Sequence, residues 1–451
     1  MGILFGTDGV RGIANTELTP EMAFDLGRAG SFVLAQQDSN SRARIMVGKD
    51  TRVSGDMLEA ALLAGICSTG ADALTLGIIP TPAVAYLTQQ YKASCGVVIS
   101  ASHNPVQDNG IKFFGSNGYK LPDEIEARIE KLVLAGTRDL VRPQGADVGR
   151  IYDVAEATNR YLAFLGSCYT EQKDLSNLTV VLDCANGAAY QAAPRLWESL
   201  GARVIAINNQ PNGININEAC GSTHTSSLKS AVVHHQANLG IAYDGDADRC
   251  IAIDECGNEV DGDFIMTICA LDMFRRGALQ PNRVVATVMS NIGLEIALKR
   301  EGIIVDSCAV GDRYVLEKMI EKGALLGGEQ SGHIIFLEHA TTGDGLLSSL
   351  KLAEAMQRTG LPLSELAREM EKQPQILVNI KLEDKDTILA HTLVKDSLLR
   401  AENKLGENGK LVVRPSGTEP LVRIMAQGPD QHLLQEVIDE ISAAVKEAQE
   451  K

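Results

Sequence analysis

Apolar and polar positions fall into short blocks that recur along this chain. Residues 45–48 form an apolar run, 49–55 a polar loop, and 57–70 carry apolar positions at helical spacing. A second apolar run at 74–78 leads into Pro80-Thr81-Pro82. Short apolar runs bounded by turn residues predict buried strands, and apolar residues three and four apart predict a helix with one buried face. The same order returns at 180–182, with the loop Asp183-Cys184-Ala185-Asn186-Gly187, a helix at 194–200 and a strand at 203–207. It returns again at 284–288, 289–291, 294–300 and 303–305, and each time the second strand follows Gly-Ala or Gly-Ile. The pattern predicts a three-fold internal repeat of α/β units. Two segments read as connections: 137–147, which contains Pro143-Gln144-Gly145 and leads to a helix at 153–166, and Gln373-Pro374-Gln375 after a helix at 363–371. Beyond them the pattern changes to a strand at 376–380, a helix at 387–402, strands at 410–414 and 421–426, and a helix at 431–446. That region predicts a small α+β domain without the repeat.

Five polar segments interrupt these blocks. The apolar run 96–99 breaks into a loop holding Ser100, Ser102, His103 and, further on, Lys112, a grouping suited to group transfer through a hydroxyl. Tyr243-Asp244-Gly245-Asp246-Ala247-Asp248-Arg249 alternates three carboxylates directly after an apolar run. In an extended strand all three would share one face, and like charges held that close need a cation. A hard divalent ion such as Mg²⁺ suits oxygen ligands. Arg249 stands where an EF-hand calcium loop requires glycine, which argues against that site. Gly327-Gly328-Glu329-Gln330-Ser331-Gly332-His333 allows close backbone approach, with Glu329 and Ser331 able to bond sugar hydroxyls or an amine. Arg414-Pro415-Ser416-Gly417-Thr418-Glu419-Pro420, with Arg423, offers guanidinium groups, hydroxyls and backbone donors to a phosphate. It lacks the lysine of a nucleotide P-loop. Phe5-Gly6-Thr7-Asp8-Gly9-Val10-Arg11-Gly12 contributes Arg11 as a candidate contact for substrate or a phosphoserine.

Composition narrows the classes. A chain of 451 residues exceeds one hydrophobic core, so about three or four domains are expected. The net charge of −16 disfavours nucleic acid and anionic membranes as partners, yet a few arginines on loops can still hold a small anion. No apolar run approaches the roughly 20 residues that span a bilayer. The start lacks the basic and apolar regions of a signal peptide, and Gly6 stands where myristoylation calls for Ser or Thr. The nine cysteines (Cys67, Cys95, Cys168, Cys184, Cys220, Cys250, Cys256, Cys269 and Cys308) are scattered, odd in number and without a C-x-x-C pair. Reduced thiols in a cytoplasmic protein account for them, and a structural zinc site is not expected.

Taken in order, the segments 5–12, 100–112, 244–249, 328–333 and 414–420 resemble the α-D-phosphohexomutases, and the likeness covers the whole chain. The resemblance implies an α/β fold of four domains around a central cleft: three repeated mixed-sheet α/β domains and a smaller C-terminal α+β domain. The expected divisions are 1–152 with the phosphoserine loop, 153–256 with the metal loop, 257–372 with the sugar loop and 373–451 with the phosphate loop. It further implies an isomerase in which Ser102 carries the transferable phosphoryl group. Ser102, Asp244, Asp246 and Asp248 would bind Mg²⁺. Glu329, Ser331, Arg414, Ser416, Gly417, Thr418 and Arg423 would bind substrate, and Arg11, Lys112 and His333 would move protons or offset charge. The expected partner is a small phosphosugar, with a homodimer compatible. Within the family, the opening Gly-Thr-Asp-Gly-Val-Arg-Gly and Gln330 favour interconversion of glucosamine 6- and 1-phosphates over mannose or glucose phosphates. That reaction would supply UDP-N-acetylglucosamine and cell-wall precursors. From the residues alone, two other activities stay open. One is an aspartyl-phosphate phosphatase with Asp244 as nucleophile. The other is a phosphosugar-binding regulator without catalysis.

Overall fold

A computed structural model describes residues 3–449 apart from 7, 36–41, 172–173, 383 and 416–420. Its first three sheets contain the same four-strand unit. In the first, Arg44–Lys49 pairs in parallel with Asp72–Ile78 on one side and Cys95–Ile99 on the other, and Cys95–Ile99 pairs antiparallel with Asp108–Gly115. In the second, Thr179–Asp183 lies parallel between Arg203–Ile207 and Leu239–Tyr243, and Leu239–Tyr243 is antiparallel to Cys250–Asp254. In the third, Arg283–Thr287 lies parallel between Ile304–Cys308 and Leu326–Gly328, and Leu326–Gly328 is antiparallel to Ile334–Phe336. The predicted repeat is therefore real and longer than its sequence pattern: each unit has two further strands. The glycine before each second strand has a backbone reason. Gly70, Gly201 and Gly302 have φ of +90°, +90° and +76°, a region that side chains disfavour.

The connection between the third and fourth strands falls in the same place in every unit. In the first it holds Ser102, in the second Asp244, Asp246 and Asp248, and in the third Glu329 and Ser331. Three equivalent loops thus come from three equivalent sheets.

Several boundaries differ from expectation. The helix expected at 57–70 runs Ser54–Cys67, so its polar first turn belongs to it. The helix expected from Pro194 begins at Ala189 and carries Pro194 inside it. The helix expected at 153–166 is Ala157–Cys168, preceded by Ile151–Asp153, which extends the first sheet beside Asp72–Ile78. The C-terminal region is an antiparallel sheet of Gln375–Lys381, Leu421–Gln427 and Lys410–Pro415, and its expected single helix is two, Lys385–Ala390 and Thr392–Leu405.

One continuous apolar core runs through the second and third units and one face of the first, with Trp197, Tyr161 and Tyr243 fully buried in it. Their polar ends are satisfied. Trp197 Nε1 donates to Tyr243 Oη at 3.3 Å, and Tyr161 Oη donates to Asp344 at 2.8 and 2.9 Å. The last domain has its own core. At its junction Asn291 Oδ1 accepts the Gln373 N–H at 3.0 Å, Asn291 Nδ2 donates to Gln373 O at 3.0 Å, and Gln427 Oε1 accepts the Ile292 N–H at 2.7 Å. No helix among the described residues is long and apolar enough to cross a membrane. All nine cysteines are free thiols.

Candidate active site

Ser102 follows the fully buried strand Cys95–Ile99 and is itself 1 % exposed. Its φ of +52° is left-handed, a conformation rare outside glycine and a few polar residues. Ser100 Oγ accepts the Ser102 N–H at 2.9 Å and donates to Asp50 Oδ2 at 2.6 Å. So turned, Ser102 Oγ donates to Asp244 Oδ2 across the domain boundary at 2.6 Å. His103 Nδ1 lies 3.4 Å from the same hydroxyl. Burial, then Arg249 and Arg11, pulls His103 down to about 4, so its ring is neutral near pH 7. Lys112, expected on the loop, stands on the strand Asp108–Gly115 opposite Val98. That rigid strand carries its ammonium to 3.1 Å from Asp246 Oδ2 and 2.9 Å from Asp8 Oδ2. Arg11, two residues beyond Gly9 on an adjoining strand, pairs with Asp8 and sits opposite Gly110.

The aspartates are gathered differently from the expectation of an extended strand. The strand ends at Tyr243, and residues 244–248 form a turn with Ala247 at φ +58°. A turn brings one oxygen of each carboxylate within 4.8 Å of the others. A strand would instead space them along its length. The protein occupies part of each carboxylate. Asp244 Oδ1 accepts the Arg249 N–H at 3.2 Å, and Asp246 Oδ2 accepts the Thr81 hydroxyl at 2.7 Å. Asp248 Oδ2 faces His333 Nδ1 at 3.5 Å. Asp246 Oδ1 and Asp248 Oδ1 are buried without a hydrogen-bond partner. Buried carboxylate oxygens without donors are costly, and two of them within a trio of converging carboxylates fit a hard cation with oxygen ligands. Burial, reinforced by Asp248 and Asp246, pushes Asp244 well above the carboxylate range. Burial also opposes ionisation of Asp248, but His333, Lys112 and Arg249 outweigh it and hold Asp248 low.

The third loop is stitched to the second. Gly332 O accepts the Cys250 N–H at 3.1 Å, and at φ +92° a Cβ on Gly332 would stand 2.1 Å from Cys250 O. Glu329 Oε1 accepts the Gly311 N–H at 3.1 Å, and Ser331 is exposed. The Gln330 side chain donates to Asp261 Oδ2 at 3.2 Å. His333 is buried, with its Nε2 3.0 Å from Gly343 N and its Nδ1 facing Asp248. Burial opposes its charge, but Asp248 and then Asp312 raise it to about 9.

Sequence reasoning missed four neighbours of these groups. Asp8 lies within a quoted motif and Thr81 in Pro80-Thr81-Pro82, neither with an expected role, and Lys120 and Asp312 lie in no quoted segment. Lys120 Nζ is 2.5 Å from Asp8 Oδ1 and 2.5 Å from Asp312 Oδ2, and Asp312 Oδ2 is 3.8 Å from His333 Nε2. Charges therefore alternate from Asp246 through Lys112, Asp8, Lys120, Asp312 and His333 to Asp248. In the last domain Arg414 and Arg423 are directly opposite one another on neighbouring strands. Like charges so placed repel, and an anion between them relieves the repulsion. Ser416, Gly417 and Thr418 lie outside the described residues.

Comparison with known proteins agrees with this arrangement. Four phosphoglucomutase/phosphomannomutase domain families match in order: α/β/α domain I at residues 2–139, α/β/α domain II at 159–257, α/β/α domain III at 261–373 and the C-terminal domain at 377–444. The chain is 72 % identical over 449 residues to a phosphoglucosamine mutase of Syntrophomonas wolfei, covering 100 % of both chains. A phosphoglucomutase/phosphomannomutase family protein of Burkholderia thailandensis superposes with a TM-score of 0.81 at 22 % identity, over 98 % of this chain and 97 % of that one. An Aspergillus fumigatus N-acetylphosphoglucosamine mutase in complex with GlcNAc-6P and magnesium superposes with a TM-score of 0.67 at 17 % identity, over 99 % and 96 % of the two chains. With four repeated or appended domains, three converging loops and these relatives, the chain belongs to the phosphoglucomutase/phosphomannomutase family.

Proposed function

We propose that this chain interconverts glucosamine 6-phosphate and glucosamine 1-phosphate through a phosphoserine at Ser102 and a 1,6-bisphosphate. The observation that carries the reading is the Ser102 hydroxyl at 2.6 Å from Asp244, beside two buried carboxylate oxygens without partners. Asp244, Asp246 and Asp248, with a phosphate oxygen on Ser102, would hold Mg²⁺, which supplies positive charge to the phosphoryl group in transfer. Asp244 orients the Ser102 hydroxyl when the phosphate is absent. Lys112, which Asp246 and Asp8 keep charged despite burial, offsets negative charge beside the transferring group.

In the first half-reaction the bond from phosphorus to Ser102 Oγ breaks. A new bond forms to the C1 hydroxyl oxygen of glucosamine 6-phosphate, which gives up its proton, and Oγ regains one. The bisphosphate turns over in the cleft. Ser102 Oγ then takes the 6-phosphoryl group, its own proton leaves, and the 6-oxygen is protonated. Arg11 offsets charge at the reacting end. His333, with Nδ1 facing Asp248, acts through Asp248. Glu329 and Ser331 bond the sugar. Arg414, Ser416, Gly417, Thr418 and Arg423 take whichever phosphate is distal, a task suited to two opposed guanidinium groups. The identity to phosphoglucosamine mutase supports the amino sugar. The nine free thiols suit a reducing cytoplasm.

A coupled assay comparing glucosamine, mannose and glucose 6-phosphates tests the substrate. The highest kcat/KM is expected for glucosamine 6-phosphate. A preference for mannose or glucose 6-phosphate would reassign the chain within its family, and turnover of none would refute the reading.

A further inference from the structure

We propose that Arg52 and Asn217, from two different domains, are positioning residues that hold the Ser102 loop in its left-handed form and so aim Oγ at the metal loop. The proposal rests on Ser102 being the phosphoryl carrier. Three carbonyl oxygens of the loop accept hydrogen bonds from these two side chains. Ser102 O accepts from Arg52 Nη2 at 3.0 Å and from Asn217 Nδ2 at 2.8 Å. Asn104 O accepts from the same two groups at 2.8 and 3.1 Å. Pro105 O accepts from Arg52 Nη1 at 2.6 Å.

The donors are themselves held. Asp50 takes the Arg52 N–H and Nε–H, each at 2.9 Å, and Asp50 also accepts the Ser100 hydroxyl that orients the Ser102 N–H. Asn217 belongs to the irregular segment 208–220, whose Gly213 O accepts the Val53 N–H at 2.8 Å. The same segment meets the metal loop: a Cβ on Gly245 would stand 2.5 Å from Ser102 O and 2.9 Å from Asn217 Nδ2. Phosphoserine loop, metal loop and Asn217 therefore interlock, and each holds a left-handed residue: Ser102 at φ +52°, Ala247 at φ +58° and Asn217 at φ +57°. Without its donors, Ser102 relaxes toward ordinary backbone and Oγ moves off the line to Asp244. Misplacement of about 1 Å at a reacting atom costs about 100-fold in rate while binding persists.

The test uses the full chain with Asn217→Ala and Arg52→Lys, the lysine keeping the charge beside Asp50 but not the forked donors. Steady-state turnover of glucosamine 6-phosphate is measured per folded molecule. Rapid-quench intact mass gives the rate at which glucosamine 1,6-bisphosphate phosphorylates Ser102. Both rates are expected to fall about 10- to 100-fold in each variant, with KM within about twofold. Asn217 is at the margin of the buried core at 9 % exposure, so its truncation is the variant that decides should Arg52→Lys not fold. Native kcat and native phosphorylation rate per folded Asn217→Ala, or a raised KM with unchanged kcat, would overturn the proposal. Ser102→Ala is run beside them. If it turns over normally, the phosphoserine reading fails; if it is inert while Asn217→Ala is native, only the positioning role fails.

Discussion

Lys112 is 3 % exposed, and its ammonium lies between Asp246 and Asp8. Burial works against its charge, yet Asp246 and Asp8 outweigh burial and raise its pKa. A cation this close does two opposed things. On the proposed function it would offset charge on a phosphoryl group in transfer and weaken the pull of the aspartates on a metal ion. Replacing Lys112 with glutamine is therefore expected to separate the two effects. Turnover should drop by about 100-fold or more, while Mg²⁺ binding measured by calorimetric titration should tighten by roughly tenfold. Weaker Mg²⁺ binding in Lys112→Gln would contradict this account. The legibility of such residues in the sequence follows their spacing. Three carboxylates within five positions announce a cation without any structure. Arg52 and Asn217 do not announce themselves, because their partner Ser102 is 50 and 115 residues away.

At the level of elements, the helix Gly262–Arg275 shows how burial couples to pH. Asp261 caps it by accepting the Asp263 and Phe264 N–H groups at 3.1 and 3.4 Å. Asp263 Oδ2 in turn accepts the Asn291 N–H at 2.8 Å, beside the junction with the last domain. Burial and then the Asp261 carboxylate push Asp263 up to about 7, although Asn291 N–H, Ser290 and Lys372 oppose them. The folded state therefore favours the neutral acid. The stability this brings is complete below the ordinary carboxylate pKa and is lost as pH rises through about 7. Asp263→Asn is expected to be more stable than the native protein at pH 8 by an amount on the order of 2–4 kcal/mol, and so to melt at a higher temperature, the gap narrowing toward pH 4. Thermal melts across that range check it, and a gap independent of pH would contradict it. The repeat itself was half legible. Strand, loop, helix and strand recur with a glycine that must adopt positive φ, and that glycine is visible in the sequence. The third and fourth strands lie outside the predicted repeat: 96–99 and the run before Asp244 are legible as apolar runs, but in the third unit Leu326–Gly328 and Ile334–Phe336 are three residues each, too short for a period. The aspartate turn was misread as a strand because alternation of carboxylates mimics the strand period, whereas Ala247 at φ +58° bends the chain.

For the whole molecule, three copies of one unit each contribute the same loop, and the shared core of the first three domains brings those loops together. One loop supplies a hydroxyl, the next three carboxylates, the third Glu329 and Ser331, and the last domain a pair of opposed arginines. Against a net charge of −16, Lys112, Lys120 and Arg249 stand among the three loops, each beside aspartates that balance it. The central claim is that Ser102 carries that group. It is tested most directly by incubating the purified protein with glucosamine 1,6-bisphosphate and Mg²⁺, then mapping phosphate by intact mass and peptide sequencing. One phosphate on the peptide containing Ser102 is expected, absent in Ser102→Ala together with mutase turnover. Phosphate on Asp244 instead, or native turnover in Ser102→Ala, would contradict the account.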